Sequence, residues 1–359
     1  MKQFSDVYKN RHVLITGHTG FKGSWLTLWL QELGAKVTGL SLPPVGTPNH
    51  WDLLNLNISD YDVDIRDFKS VLKVIKQGKP EIIFHLAAQP LVCHSYNNPL
   101  DTWSTNVMGT VNLLEACRQI DSVSAIIVIT TDKVYANQEW LWGYRENDPL
   151  GGHDPYSASK AACEIVADSY RKAFFTNSHG TLLATARAGN TMGGGDWSDD
   201  RLIPDFIRSV HSLKPLLIRS PHATRPWQHV LDCLSGYLLL GQKLLEKDNS
   251  CAEAWNFGPH WTDNCRVIDI LEMMKNYYPS LEWELSSDSH EHESHELFLD
   301  SSKSRVKLGW KPVWDIKKCI SATSLWYSQY YSTGKVESQK QLHDYFESAK
   351  LVGCSWIGE

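Results

Sequence analysis

Near its amino terminus the chain sets a short apolar run, His12-Val13-Leu14-Ile15-Thr16, directly before Gly17-His18-Thr19-Gly20-Phe21-Lys22-Gly23. An apolar stretch from Ser24 to Leu33 follows. A buried strand that turns through closely spaced glycines into a helix leaves few folds open. The glycines let the backbone turn tightly, and the helix N-terminus offers amide groups and a positive dipole to an anion. The spacing is G-x-x-G-x-x-G, and a glycine triplet alone is weak evidence. With a strand before it and a helix after it, the turn reads as a cradle for the pyrophosphate of a dinucleotide. Gly17, Thr19, Gly20, Phe21, Lys22 and Gly23 are the contacts expected from it.

The rest of the amino-terminal half continues the alternation. Strands are expected at 12–17, 36–42, 61–65, 81–87, 124–131 and 181–189, and helices at 21–33, 67–77, 101–120 and 156–175. Strands alternating with helices indicate an α/β chain of the Rossmann type, with a doubly wound parallel sheet. The order breaks after Gly189, at Asn190-Thr191-Met192-Gly193-Gly194-Gly195-Asp196-Trp197. From there we expect a smaller, discontinuous C-terminal substrate domain. The division is 1–189 for the dinucleotide-binding domain, with returning pieces near 226–260, and 190–225 with 261–359 for the substrate domain. No linker marks a clean boundary.

Composition excludes several classes. A chain of 359 residues, 42% of them hydrophobic, can bury a sizeable core and is not disordered. A net charge of −6 gives no electrostatic reason to expect nucleic acid or a membrane as partner. Residues 1 to 9 have no apolar core and no run is long enough to span a bilayer, so neither a signal peptide nor a membrane span is expected. The eight cysteines are scattered without a C-x-x-C pair, as buried thiols of a reducing compartment are, and a cytoplasmic location is expected. His290, His292 and His295 alternate with glutamates on a polar stretch, which reads as a solvated face; no metal is expected. The fifteen tryptophans read as bulky packing, with a few lining a substrate site.

The chemistry is concentrated in two short stretches. Thr130-Thr131-Asp132-Lys133-Val134-Tyr135 leaves the apolar run Ala125–Ile129, at the strand tip where open α/β sheets place their ligands. Tyr156-Ser157-Ala158-Ser159-Lys160 opens a helix and puts a phenol and an amine on one face. A hydroxyl, a carboxylic acid, an amine and a phenol near one point suit proton transfers beside a hydride acceptor.

Taken with His85-Leu86-Ala87-Ala88 and Thr105-Asn106, the glycine turn and the Tyr156–Lys160 pair resemble the extended short-chain dehydrogenase/reductases over nearly the whole chain. Thr131-Asp132 and the polar residue after it resemble the nucleoside-diphosphate-hexose 4,6-dehydratase branch. So do Ala88-Gln89-Pro90-Leu91-Val92 and Arg225-Pro226-Trp227-Gln228-His229-Val230. Lys133, where most relatives carry glutamate, is similar to the subgroup acting on CDP-glucose; no motif reads cytosine directly.

This resemblance implies NAD as cofactor and a nucleotide sugar as substrate. Thr131, Tyr156 and Lys160 would start the C4 oxidation, and Asp132 would protonate the leaving C6 hydroxyl, provided its surroundings keep it protonated. Lys133 would take the C5 proton, or else stay charged and stabilise the enolate. The bland readings are a carboxylate capping the next turn and a lysine pairing with it. Ser41 falls where many NAD folds carry an acid, so no charge there argues against NADP. Asp64 and Ile65 would face the adenine, although Asp64 fits a helix cap too. Leu86, Ala87, Ala88 and Asn106, with Tyr156 and Lys160, complete the implied cofactor contacts. Asn190, Arg201, Arg219, Arg225, Asn256 and His295 are implied around the sugar nucleotide; arginine suits phosphate because its planar fork binds two oxygens. Members usually form homo-oligomers, dimers or tetramers, through the helices at 101–120 and 156–175. The reaction lies early in making dideoxy sugars for surface polysaccharide. A 4-epimerase of the same family and a non-catalytic dinucleotide sensor are the alternatives.

Overall fold

The structure is a computed structural model and describes residues 2–176, 180–286 and 296–358. Its main strands are β1 (His12–Thr16), β2 (Lys36–Ser41), β3 (Ser59–Asp62), β4 (Ile82–His85), β5 (Ala125–Ile129), β6 (Leu182–Ala188) and β7 (Ala254–Phe257). All seven run parallel in one sheet, in the order β7-β6-β5-β4-β1-β2-β3. The principal helices are α1 (Phe21–Glu32), α2 (Phe68–Gly78), α3 (Gly109–Arg118), α4 (Pro155–Ala173), α5 (Leu202–Ser212), α6 (Val230–Leu245), α7 (Ile316–Thr333) and α8 (Ser338–Leu351).

Because strand side chains alternate between faces, one sheet feeds two cores. Val13, Ile15, Phe84, Ile127 and Ala184 pack with α1, α6 and the C-terminal helices. Leu14, Ile83, Ile126, Val128 and Leu183 pack with α2, α3 and α4. A sheet covered on both faces is what the uninterrupted apolar run of β5 requires, and all five of its residues are buried. The predicted doubly wound parallel sheet is therefore present. Its strand order reverses between β1 and β4, which opens a crevice at their C-terminal ends.

Three elements depart from expectation. The third strand ends at Asp62 rather than 65, because Ser59-Asp60-Tyr61-Asp62 is an edge strand whose pairing with β2 stops there. Asp64 and Ile65 thus lie past its end, and Asp67, not Asp64, caps α2 by accepting from Lys69 and Ser70. The single helix expected over 101–120 is a short helix at Pro99–Trp103, a π-helical turn at Ser104–Met108, and then α3. The sheet also gains a strand the alternation did not place: β7 pairs with β6.

Packing accounts for several of the tryptophans. Trp25, Trp29, Trp255, Trp310, Trp326 and Trp356 are buried almost completely. Phe4 stacks on Trp356 at 5.0 Å, Trp356 meets Trp29 of α1 at 5.6 Å, and Trp29 meets Tyr345 of α8 at 5.7 Å. Backbone bonds join the two ends of the chain at the same place, with Phe4 N donating to the Trp356 carbonyl at 2.7 Å. The aromatic belt fastens α8 onto α1, and one apolar core continues from the sheet into the C-terminal region. All eight cysteines are free thiols, and six of them are buried. Among the described residues no helix is long and apolar enough to cross a membrane, and no group of three potential metal ligands gathers. The segment containing His290, His292 and His295 lies outside the described residues.

Candidate active site

The crevice begins at the glycine turn. Gly17 has φ +75°, and a Cβ there would stand 2.7 Å from the Ala87 nitrogen. One on Gly23 would stand 2.1 Å from the Gly17 carbonyl oxygen. Only glycine lets this turn close against the exit of β4 and the start of α1. Gly20 gives α1 no side-chain cap, so the first-turn amides are left to face an anion. Leu86, Ala87 and Ala88 line the mouth, half-buried. Phe21 packs beneath Gly193, where a Cβ would be 3.3 Å from its ring. These residues fit a dinucleotide.

At the far end of the turn, the Thr19 hydroxyl meets Ser41 Oγ at 2.8 Å and donates to the Leu42 carbonyl at 3.0 Å. Asp64 is engaged by Arg66 through its side chain and backbone, and that guanidinium holds the carboxyl below the usual carboxylate range. Ile65 is buried beneath Gly109 of α3, where a Cβ would come within 2.6 Å of it. Asn106 departs from the expected cofactor contact. Its amide oxygen accepts from Gln89 N at 2.8 Å, and its amide nitrogen donates to the Gln89 carbonyl and to Ser159 Oγ. It joins the π-helical turn to α4 and shapes the crevice wall from behind.

Beyond β5 the second group of residues converges. Asp132 is fully buried; its Oδ1 accepts from Thr131 Oγ1 at 2.9 Å and from Lys133 Nζ at 3.2 Å. Its Oδ2 has no hydrogen-bond partner among the described residues and faces Gly189, where a Cβ would lie 3.1 Å away. A buried carboxylate oxygen without a partner is costly unless a ligand or water completes it. Lys133 also reaches Asn190 Oδ1 at 3.5 Å, so Asn190 stands in this group. The bland reading of Lys133, a pairing with Asp132, is thus part of the geometry.

Tyr156 and Lys160 begin α4, which Asp154 caps by accepting from Ser157 N at 2.9 Å and Pro155 opens. Burial pushes the Tyr156 phenol up to about 12, opposed by the Thr131 hydroxyl and the Arg201 charge. Lys160 donates to the Ile129 carbonyl at 3.1 Å, and burial pulls its pKa down. The chain's own groups therefore do not make Tyr156 a base at neutral pH; a further positive charge in the chamber is needed.

Lys22, expected at the cofactor turn, sends its ammonium to α6, 3.5 Å from the Tyr237 hydroxyl. Burial lowers its pKa, and its charge acts on Arg201, Asp132, Lys133 and Lys160. Arg201, at the N-terminus of α5, pairs with Asp196 at 3.1 Å. Arg219 donates to Cys93 Sγ at 3.1 Å, and buried Arg225 donates to the Thr224 carbonyl at 2.8 Å. Asn256 does not face the chamber. It is fully buried, accepts from the Tyr135 hydroxyl at 2.7 Å and donates to the carbonyls of Tyr144 and Asp300, so it serves the fold. His295 lies outside the described residues. Sequence reasoning missed Glu164, Arg187 and Tyr237. Arg187 carried a signal: an arginine inside the largely apolar β6 demands a buried partner.

The profile of the GDP-mannose 4,6 dehydratase family matches residues 14–323. The chain is 44% identical over 350 residues to the CDP-glucose 4,6-dehydratase of Salmonella typhimurium, covering 95% of this chain and 98% of that protein. Epimerase Mth375 from Methanothermobacter thermautotrophicus has a similar structure, with a TM-score of 0.80 at 22% identity, covering 91% of this chain and 95% of that one. DesIV, a dTDP-glucose 4,6-dehydratase from Streptomyces venezuelae solved with NAD and TYD bound, gives 0.76 at 22% identity, covering 89% and 98%. At these identities the two structures speak for the fold alone. The match along most of the chain and the 44% identical relative make it a member of the GDP-mannose 4,6 dehydratase family, within the extended short-chain dehydrogenases/reductases.

Proposed function

We propose that the protein is a hydro-lyase that uses NAD to convert CDP-D-glucose to CDP-4-keto-6-deoxy-D-glucose. The observation that carries this reading is the contact of buried Asp132 with Lys133, beside Thr131 and Tyr156. When bound, NAD supplies the acceptor for the C4 hydride and the donor that returns it to C6. Gly17, Thr19, Gly20, Phe21, Gly23, Ser41, Asp64, Ile65 and Leu86 to Ala88, with the backbone of Lys22, are the residues that would hold it.

Tyr156, with Thr131 aligning the sugar hydroxyl and Lys160 adding positive charge, takes the C4 hydroxyl proton. The resulting ketone acidifies C5. Elimination then needs an acid and a base side by side, and Asp132 Oδ1 meets Lys133 Nζ at 3.2 Å. Lys133 removes the C5 proton, Asp132 gives a proton to the C6 hydroxyl, and water leaves. Lys133 then returns a proton to C5. Asn190, Arg201, Arg219 and Arg225 are proposed to hold the diphosphate. The choice of cytidine rests on the 44% identical relative.

A 4-epimerase would use the tyrosine and lysine but has no task for the Asp132–Lys133 pair, which favours dehydration. Incubation with CDP-, dTDP-, UDP- and GDP-glucose, followed by mass detection, tests the reading. Loss of one water from CDP-glucose is expected. An isomer of unchanged mass would establish the epimerase, and tight cofactor binding without turnover would establish the sensor.

Residues 1–189 with 226–260 form the proposed cofactor-binding domain, and 190–225 with 261–359 the sugar-nucleotide domain. We place the protein in the cytoplasm, early in the supply of dideoxy sugars for O-antigen and other surface polysaccharide. Exposed Leu100, Trp103, Met108 and Ile165 on the helical runs 99–118 and 155–173 support pairing of two copies through these helices.

A further inference from the structure

Behind the chamber, Glu164 and Arg187 form an ion pair, each with a side chain only 3% exposed. The Glu164 carboxylate accepts four hydrogen bonds. Arg187 gives two, at 2.9 and 3.0 Å, Thr130 Oγ1 one at 2.5 Å, and Thr185 Oγ1 one at 2.6 Å. Arg187 also donates to the Tyr135 hydroxyl at 2.8 Å and to the Glu146 carbonyl at 3.0 Å. The pair thus sits where three segments meet. Thr130 and Tyr135 flank Thr131, Asp132 and Lys133. Glu164 lies one helical turn beyond Lys160, on the face shared with Tyr156. Arg187 precedes Gly189 and Asn190, which close over Asp132 and Lys133.

A buried ion pair is a poor source of stability, since desolvating both charges offsets most of their attraction. What this one does is fix three segments in a single register. We infer that Glu164 and Arg187 are positioning residues: they hold the oxidation group (Tyr156, Lys160, Thr131) in line with the elimination group (Asp132, Lys133) across one sugar ring. The inference rests on the dehydratase reading above. If the anchor loosens, the two groups no longer serve the same ring geometry. Turnover then falls without loss of substrate affinity, and the second half-reaction lags the first.

Thr130→Val is the mildest test, because it removes only the strand-tip bond to Glu164 and leaves the ion pair whole. Expected are an unchanged melting temperature, KM within about twofold of the parent, kcat lower by about tenfold, and reduced cofactor building up during turnover. Thr130→Ser, which restores the hydroxyl, should return kcat to the parent value. The double variant Glu164→Gln/Arg187→Met removes both charges together and should lower kcat by about a hundredfold with KM nearly unchanged. If Thr130→Val and a folded double variant both keep the parent kcat without build-up of reduced cofactor, the pair is packing only and the inference is overturned. If the double variant does not fold, Thr130→Val and its serine rescue decide alone. A parent enzyme that releases no water from CDP-glucose would instead overturn the function, a separate result.

Discussion

Replacing Asp232 with asparagine should reshape the pH dependence of stability by an amount that follows from its surroundings. Asp232 lies in the first turn of α6, fully buried, and Oδ1 accepts from Val313 N at 2.6 Å and from the Tyr345 hydroxyl at 2.8 Å. Its Oδ2 has no hydrogen-bond partner among the described residues. Burial pushes the carboxyl up to about 7, although both hydrogen bonds oppose the rise. In the unfolded chain the same group titrates near ~3.9. The folded state therefore keeps a proton that the unfolded state has lost across this interval. Stability falls as pH rises through the interval and levels off above the folded value.

About three pKa units correspond to roughly 4 kcal/mol in all, of which roughly 3 kcal/mol falls between about pH 5 and about pH 8. The parent's own profile will not reveal this slope. His50, His85 and His229 are each held down to about 3 by burial, so their contribution is lost as pH drops below the ordinary histidine range and runs the other way. The variant shares those histidines, and the difference between the two proteins cancels them. The new amide nitrogen lacks an acceptor at a cost of roughly 1–3 kcal/mol, but that cost does not change with pH. Urea unfolding of both proteins at the two pH values is the assay. The stability difference should move by roughly 3 kcal/mol in favour of Asp232→Asn at the higher pH. A flat difference would refute the claim that α6 buries a titrating proton.

Tyr156→Phe should leave cofactor and substrate binding nearly intact and lower turnover by about two to four orders of magnitude; steady-state kinetics with a binding titration checks this, and substantial residual activity would point to another group. Lys133→Met should slow exchange at C5 of the 4-keto product in heavy water, and exchange as fast as the parent's would remove Lys133 from the base role. Ser41→Asp should keep NAD binding and weaken NADP through repulsion of its 2′-phosphate, measured by titrating both. Equal effects on the two cofactors would mean that the end of β2 does not face the ribose.

What could be read from the sequence was local. The turn from Gly17 to Gly23 announces itself because its strand, glycines and helix are consecutive, and Tyr156 and Lys160 share a face through helical spacing alone. The seven-stranded sheet followed from β-α alternation except for β7, which is separated from its neighbour β6 by the irregular segment after Gly189. Asn106 and Asn256 looked like ligand contacts because asparagine gives no hint of its partner. Tyr135, which claims Asn256, lies 121 residues away in the chain. Lys22 was expected at the phosphates, yet the destination of its side chain is set by Tyr237, 215 residues on. The partners of buried polar groups are fixed by the assembled fold, and no local pattern encodes them.

The meeting of Phe4, Trp29, Tyr345 and Trp356 bears on the order in which the molecule can be completed. The strand-turn-helix unit that would cradle the dinucleotide leaves the ribosome early, but the outer face of its helix is covered by residues made more than 300 positions later. Until Tyr345, Phe346 and Trp356 arrive, Trp29 lacks three of its aromatic neighbours and α1 is packed mainly on its inner face. A nascent chain would thus carry the glycine turn long before that turn is held firm, and clipping the last few residues should loosen cofactor retention from a surface remote from the crevice. Phe4 and Trp356 lie close enough to be joined by a short linker and the chain reopened elsewhere.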